Sequence, residues 1–221
     1  IVPVASAADL KDANKIPAWA KEEVQALVDG GVIQGDQNGN FNPSGNVTRA
    51  AAAEILYKAL GLSTAGTENF SDVNANNWFY DAVVATSNAG IFEGNEKGEF
   101  RPNDPLTREQ AALVIVRAFD LEGSADLSGF ADANKVSGWA KSGVATAVAN
   151  GVIKGDGANL NPTANVSRAE IAVMVYRVLE EAPGVIGAAT VQAINNTTVE
   201  VTFKDEVKDV INIDESKEGG K

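Results

Sequence analysis

The 221-residue sequence contains no cysteine and no histidine. Thiol nucleophiles, histidine-based triads and zinc sites built from His or Cys are therefore excluded. Positive charge is also scarce. Eighteen Lys and Arg face thirty Asp and Glu, for a net charge of -12. That balance disfavours the long-range attraction that nucleic-acid binders exert on phosphate backbones, so no nucleic-acid partner is expected, and any anionic ligand must be gripped by short-range contacts. No apolar run approaches the roughly 18 residues a membrane span needs. Carboxylates are plentiful, and glycosidases need only two of them about 5 to 10 Å apart, but nothing singles out one pair. The expectation is a chain that is not an enzyme and carries no cofactor.

With 44% hydrophobic and 22% charged residues, the chain has enough apolar material for a sizeable core. It opens IVPVASAADL, in which Ile1 to Val4 followed by Ala5-Ser6-Ala7 reads as the end of a secretory hydrophobic segment with an A-x-A cleavage site. Residues 1–7 are thus expected to be a signal-peptide remnant and the protein to be secreted.

Three segments align almost without gaps: GVIQGDQNGNFNPSGNVTRAAAAEIL, GIFEGNEKGEFRPNDPLTREQAALVI and GVIKGDGANLNPTANVSRAEIAVMVY. Gly31, Gly90 and Gly151 correspond, as do Arg49, Arg108 and Arg168. Upstream, Asp12, Asp72 and Asp132 correspond, and so do Trp19, Trp78 and Trp139. The period is about 60 residues. Repeats are placed at 8–62, 69–121 and 129–180.

Each repeat starts with an amphipathic helix (Ala20, Val24, Leu27; Phe79, Val83; Ala140, Val144, Ala147) that stops at Gly31, Gly90 or Gly151, where a left-handed cap is expected. A glycine-rich turn and an extended stretch lead to a second helix capped by Thr48, Thr107 or Ser167. Gln110 and Glu170 complete capping boxes, whereas Ala51 cannot. The second helices are apolar on more than one face and should pack together centrally with the first helices around them. A mainly α fold with pseudo-threefold symmetry and helix-loop-helix repeats follows. After Pro183-Gly184, the alternation Val199, Val201, Phe203 behind a turn at Asn195-Asn196 reads as a short β segment, the start of a β domain over 188–221.

The segment from Asp36, with Asn38 and Asn40, has the look of a calcium loop, but the twelfth position is Val47 and the other repeats drop the oxygens while keeping the turn. It reads as a turn, and no metal is expected.

Aligned in this way, the chain resembles three tandem S-layer homology (SLH) domains of bacterial surface proteins. The motifs that carry the likeness are LKDAN, FSDVN and FADAN; AWAKEEV, NWFYDAV and GWAKSGV; the GVI-x-G turn; and TRAA, TREQ and SRAE at the second helix. The β segment looks like the first strands of the Ig-like domains that follow such modules. The resemblance implies a non-enzymatic anchor in the cell wall of Gram-positive bacteria. Grooves between repeats would hold the pyruvylated N-acetylmannosamine of a secondary cell wall polymer linked to peptidoglycan, and the lattice of an S-layer would form through the part beyond Lys221. The motif arginines Arg49, Arg108 and Arg168 would face the ketal carboxylate.

Residue chemistry agrees. A guanidinium fork matches a carboxylate, and a helix start favours an anion. Trp19, Trp78 and Trp139 could offer a face to a sugar ring, Asp12, Asp72 and Asp132 could accept from hydroxyls or orient the arginines, and Gly31, Gly90 and Gly151 could let a ligand approach the backbone. At these positions the sequence leaves alternatives open: tryptophans as core anchors, aspartates as caps, arginines as solvated residues. Two departures carry expectations. Ala51 in place of an acidic residue should weaken the first site around Arg49, and Glu109 beside Arg108 should make the second site less hospitable to an anion. The competing functions are a helical scaffold for protein partners and the targeting module of a carbohydrate-active enzyme.

Overall fold

In the first repeat, the apolar residues Val24, Leu27 and Val28 recur at helical spacing along Lys21–Asp29 (α1), and all three are buried, as is Ala20 at its N-cap. The computed structural model describes residues 10–63, 70–181, 189–195 and 198–203. Its other α-helices are Arg49–Ala59 (α2), Tyr80–Asn88 (α3), Arg108–Ala118 (α4), Lys141–Ala149 (α5) and Arg168–Glu181 (α6). Short 3-10 turns at Ala18–Ala20 and Gly138–Ala140 lead into α1 and α5. The expected processing segment, 1–7, lies outside the described residues.

The caps follow the sequence. Gly31, Gly90 and Gly151 have φ of 73°, 71° and 66°, the left-handed geometry that ends a helix. Thr48 Oγ1 accepts from the Ala51 N–H, and Thr107 with Gln110 closes a reciprocal box. Ser167 does the same with Glu170, whose carboxylate accepts from both the Ser167 N–H and its hydroxyl at 2.8 Å. Helix α2 has only half of this arrangement, as Ala51 requires.

Packing runs between repeats. Helix α2 packs on α3, α4 on α5, and α6 returns to α1, so the second helix of each repeat covers the first helix of the next and the third repeat closes on the first. The second helices supply much of the core through Ala52, Ile55 and Leu56, Ala111, Ala112 and Ile115, and Ile171, Ala172 and Val175. At the centre the backbone forms a closed ring. The Val47 N–H donates to Val166 O (3.0 Å), Val166 to Leu106 O (2.9 Å), and Leu106 to Val47 O (2.8 Å). All three side chains are buried.

The next donors complete the interlock. The N–H groups of Arg49, Arg108 and Arg168 donate to the carbonyls of Asp104, Ala164 and Gly45, each at 2.9 Å, and those of Ala50, Glu109 and Ala169 donate to Pro102, Pro162 and Pro43. Two of the orphan donors at each second-helix start are thus consumed by another repeat. The sequence suggests that a helix start would favour an anion; here these two N–H groups are already satisfied within the protein.

Residues 182–221 form a separate unit. Within it, Ala189–Asn195 (β1) and Thr198–Phe203 (β2) pair antiparallel, with Val191 opposite Val201 and Ala193 opposite Val199. The alternation read from the sequence is the pairing register here.

Candidate functional site: three grooves between repeats

The loop joining the two helices of a repeat is shaped by an aspartate upstream of it. Asp12 accepts from the N–H groups of Phe41 (2.6 Å) and Asn42 (2.8 Å), Asp72 from Phe100 and Arg101, and Asp132 from Leu160 and Asn161. Each pair includes a left-handed residue: Asn42, Arg101 and Asn161 have φ of 58°, 62° and 52°. Because proline follows each one, the extended backbone normally favoured before proline is given up, and the carboxylate holds the exception in place. Asp12 and Asp132 are buried. The geometry therefore makes these aspartates loop clamps.

Asp36, the first residue of the calcium-like run, is engaged in the same manner. Its carboxylate accepts from the N–H groups of Asn38 and Asn40 and from the Asn42 side chain, which lowers its pKa. Among the described residues no group of acidic side chains could hold a metal ion.

The arginines point away from their own repeat. Arg168, in the third, donates from Nε to Phe41 O (2.6 Å) and from Nη2 to Gln34 O (2.8 Å) in the first, with its guanidinium 5.0 Å from the Phe41 ring centroid. Arg49 repeats the pattern on the second repeat, with Phe100 O and Glu93 O as acceptors and the rings of Phe92 and Phe100 beneath. Arg108 donates from Nε to Leu160 O of the third repeat, but its Nη1 pairs with Glu170. Burial pulls the pKa of Arg49 and Arg168 below the ordinary value, against the opposing pull of Asp104 and Asp72 on the first and of Asp36 and Asp12 on the second. These cations are partly stripped of water, and an incoming carboxylate would meet them at little further desolvation cost.

Each arginine opens on a groove. Arg168 shares a groove of about 570 Å3 with Gln34, Gly35, Ala51, Ile55 and Trp78. Arg49 shares one of about 380 Å3 with Glu93, Gly94, Glu99, Asp104 and Gln110. Arg108 shares one of about 470 Å3 with Trp19, Gly155, Glu170, Met174 and Arg177. The first and third grooves therefore draw on all three repeats: an arginine from one, a loop and second helix from another, and a tryptophan from the last. Trp19, Trp78 and Trp139 are 56%, 67% and 58% exposed, which rules out a core role and leaves indole faces open to solvent.

Several expectations change. Ala51 stands in the groove of Arg168, not beside Arg49, because each arginine crosses to the neighbouring repeat. Glu109 is buried and accepts from Ser137, so it does not line the groove of Arg108. Gly31, Gly90 and Gly151 cap helices. The glycines that line the grooves are Gly35, Gly94 and Gly155. They recur as regularly in the sequence, yet only the structure shows their purpose: a Cβ on Gly94 would lie 2.5 Å from the Phe70 ring, and one on Gly155 2.7 Å from Asn159 O. The α2 and α6 faces supplying Ile55 and Met174 to the grooves were also missed, since a groove wall and a core face share one helical period.

A family model described as the S-layer homology domain matches residues 9–53, 69–112 and 129–172. The chain belongs to the S-layer homology family. A surface-layer 125 kDa protein of Lysinibacillus sphaericus is 50% identical over 225 residues, covering 100% of this chain and 19% of the relative. An exoglucanase of Acetivibrio thermocellus is 34% identical over 180 residues, 78% of this chain and 16% of its own length. The S-layer protein EA1 of Bacillus anthracis is 30% identical over 181 residues, 79% and 20% respectively. The chain spans a fifth or less of the length of these relatives.

Surface-layer proteins and an exoglucanase are thus similar to most of this chain. The SLH triplet is an attachment module without catalysis of its own, and it places the protein at the cell surface, anchored to the cell wall. Among the described residues, no helix is long and apolar enough to cross a membrane.

Proposed function

We propose that the SLH triplet anchors its protein by binding the pyruvylated N-acetylmannosamine of a secondary cell wall polymer in the grooves between repeats. The observation that carries this reading is the pairing, in one groove, of a partly desolvated arginine with an exposed indole from another repeat, as for Arg168 with Trp78. A guanidinium can hold the ketal carboxylate through parallel hydrogen bonds while the indole covers a face of the pyranose. With a net charge of -12, the chain cannot gather an anionic polymer by bulk attraction, so the grip is local. Several grooves on one polymer, and many chains in an S-layer lattice, multiply the affinity of each. Asp12, Asp72 and Asp132 support the grooves by clamping their loops, and Gly31, Gly90 and Gly151 by ending the helices in front of them. Trp139 holds the corresponding place at the start of α5.

Calorimetric titration with the pyruvylated monosaccharide, alongside the same sugar without pyruvate, tests this reading. Saturable binding that requires pyruvate and is lost on replacing the groove arginines supports it. Equal binding of both sugars refutes carboxylate recognition, and failure of both sends the function toward a protein partner. Salt sensitivity should be moderate, because a short-range bidentate contact is screened less than diffuse attraction.

A further inference from the structure

The three grooves are built to one plan but differ at the third position of the second helix: Ala51, Gln110 and Glu170. In the groove of Arg108, Glu170 is bifunctional. One of its oxygens accepts from the Ser167 N–H and hydroxyl, and the other pairs with Arg108 Nη1. The Arg108 side chain is only 11% exposed, so this carboxylate sits where an arriving one would have to go. In the groove of Arg168 the same position is Ala51, and among the described residues no carboxylate lies within 4.0 Å of that guanidinium; the two acidic residues that line this groove are already engaged, Asp36 by the N–H groups of Asn38 and Asn40 and the Asn42 side chain, and Glu54 by Lys58 at 3.0 Å. The groove of Arg49 has neutral Gln110, but Glu93, Glu99 and Asp104 line it, and the second cation there, Arg101, is paired with Asp104.

We propose that the groove of Arg168, Ala51 and Trp78 is the primary anion site of this protein, and that Glu170 acts as an internal competitor that keeps Arg108 itself closed to carboxylates. The groove of Arg49 ranks between them, free of an internal partner but ringed by acidic side chains. The specificity-determining residue in each groove is thus the third of its second helix, where removing the side chain's charge opens the arginine. The inference rests on the grooves being anion sites, as in the function proposed above; its test needs no sugar.

The test is a titration of the full chain with sodium pyruvate at constant ionic strength, read through the guanidinium N–H signals of the groove arginines by NMR. Arg168 should shift saturably in the unmodified protein, Arg108 should not, and Glu170→Gln should make Arg108 respond. That substitution preserves the cap, because Gln110 already closes the equivalent box in α4. Ala51→Glu, which completes a box in α2 and supplies a competitor, should weaken pyruvate binding at Arg168 by about tenfold. The inference is overturned if Arg108 responds as strongly as Arg168 in the unmodified protein, if Ala51→Glu leaves Arg168 unchanged, or if no arginine responds. A pyruvate pattern as expected, with no binding of the pyruvylated sugar, would leave the order of the grooves standing and refute the sugar reading.

Discussion

Glu109 and Ser137 join the second repeat to the third. The Glu109 carboxylate, 4% exposed, accepts from the Ser137 N–H at 2.9 Å and from its hydroxyl at 2.7 Å. Ser137 precedes the 3-10 turn that leads into α5, so a side chain on α4 caps the entry to the next repeat. At the junction of the third repeat with the first, the equivalent residues are Ala169 and Pro17. Proline has no N–H to satisfy, and alanine offers no acceptor; the two pairs are alternative solutions to one backbone problem.

Glu109→Ala should therefore cost about 1–3 kcal/mol, by leaving the Ser137 donors without their charged acceptor. Adding Ser137→Pro should recover much of that loss. Ser137 has φ of -58° and Val136 before it is extended, the geometry that Pro17 and Ile16 already show. Urea unfolding of both single variants and the double variant measures the coupling, and strictly additive effects would refute it.

Asp132→Asn should destabilise the helical unit by roughly 2 kcal/mol, since one of two charge-assisted acceptors on the loop is lost. Its pH dependence has a defined sign. Burial alone would raise the Asp132 carboxyl, but the N–H groups of Leu160 and Asn161, helped by Lys135, hold it below the usual carboxylate range. A pKa lower in the folded chain means stability that is present above the unfolded value of about 3.9 and lost as pH falls through the folded value. Thermal melts between pH 6 and pH 2 should show this loss, and the part due to Asp132 should be missing in the variant.

Arg101→Asn should stabilise the protein by about 0.5–1 kcal/mol. Arg101 sits at φ 62°, where the other two repeats place Asn42 and Asn161, and asparagine tolerates that region better than a long side chain. Its pair with Asp104 is at the surface and worth less than the backbone strain it accompanies. A lower midpoint in thermal unfolding would refute this account.

Removing the third repeat by ending the chain after Leu121 should abolish cooperative unfolding of what remains. Helix α1 would lose its cover from α6, Val47 would lose its acceptor Val166 O, and the loop at Phe41 would lose Arg168. Circular dichroism during heating checks this, and a sharp transition in the shortened chain would show that two repeats suffice.

Much of this was legible in the sequence, for a physical reason: local patterns act through neighbours a few residues away. Apolar spacing announced the helices, Thr48, Thr107 and Ser167 announced their starts, and glycine at Gly31, Gly90 and Gly151 announced their ends. The threefold recurrence of Arg marked the three arginines that line the grooves, with Trp19 and Trp78 beside two of them, because a repeated unit copies its special positions along with its core, while the recurrent Asp turned out to clamp the loops. What the sequence could not decide was which copy meets which. Arg168 and Phe41 O touch across 127 positions, and Ala51 belongs to the groove of Arg168, because the second helix of each repeat packs on the next repeat and the ring closes from third to first. Internal repetition makes the three neighbours equivalent on paper. Only the closed packing of the chain, with the Val47, Leu106 and Val166 hydrogen bonds at its centre, gives each arginine one particular partner.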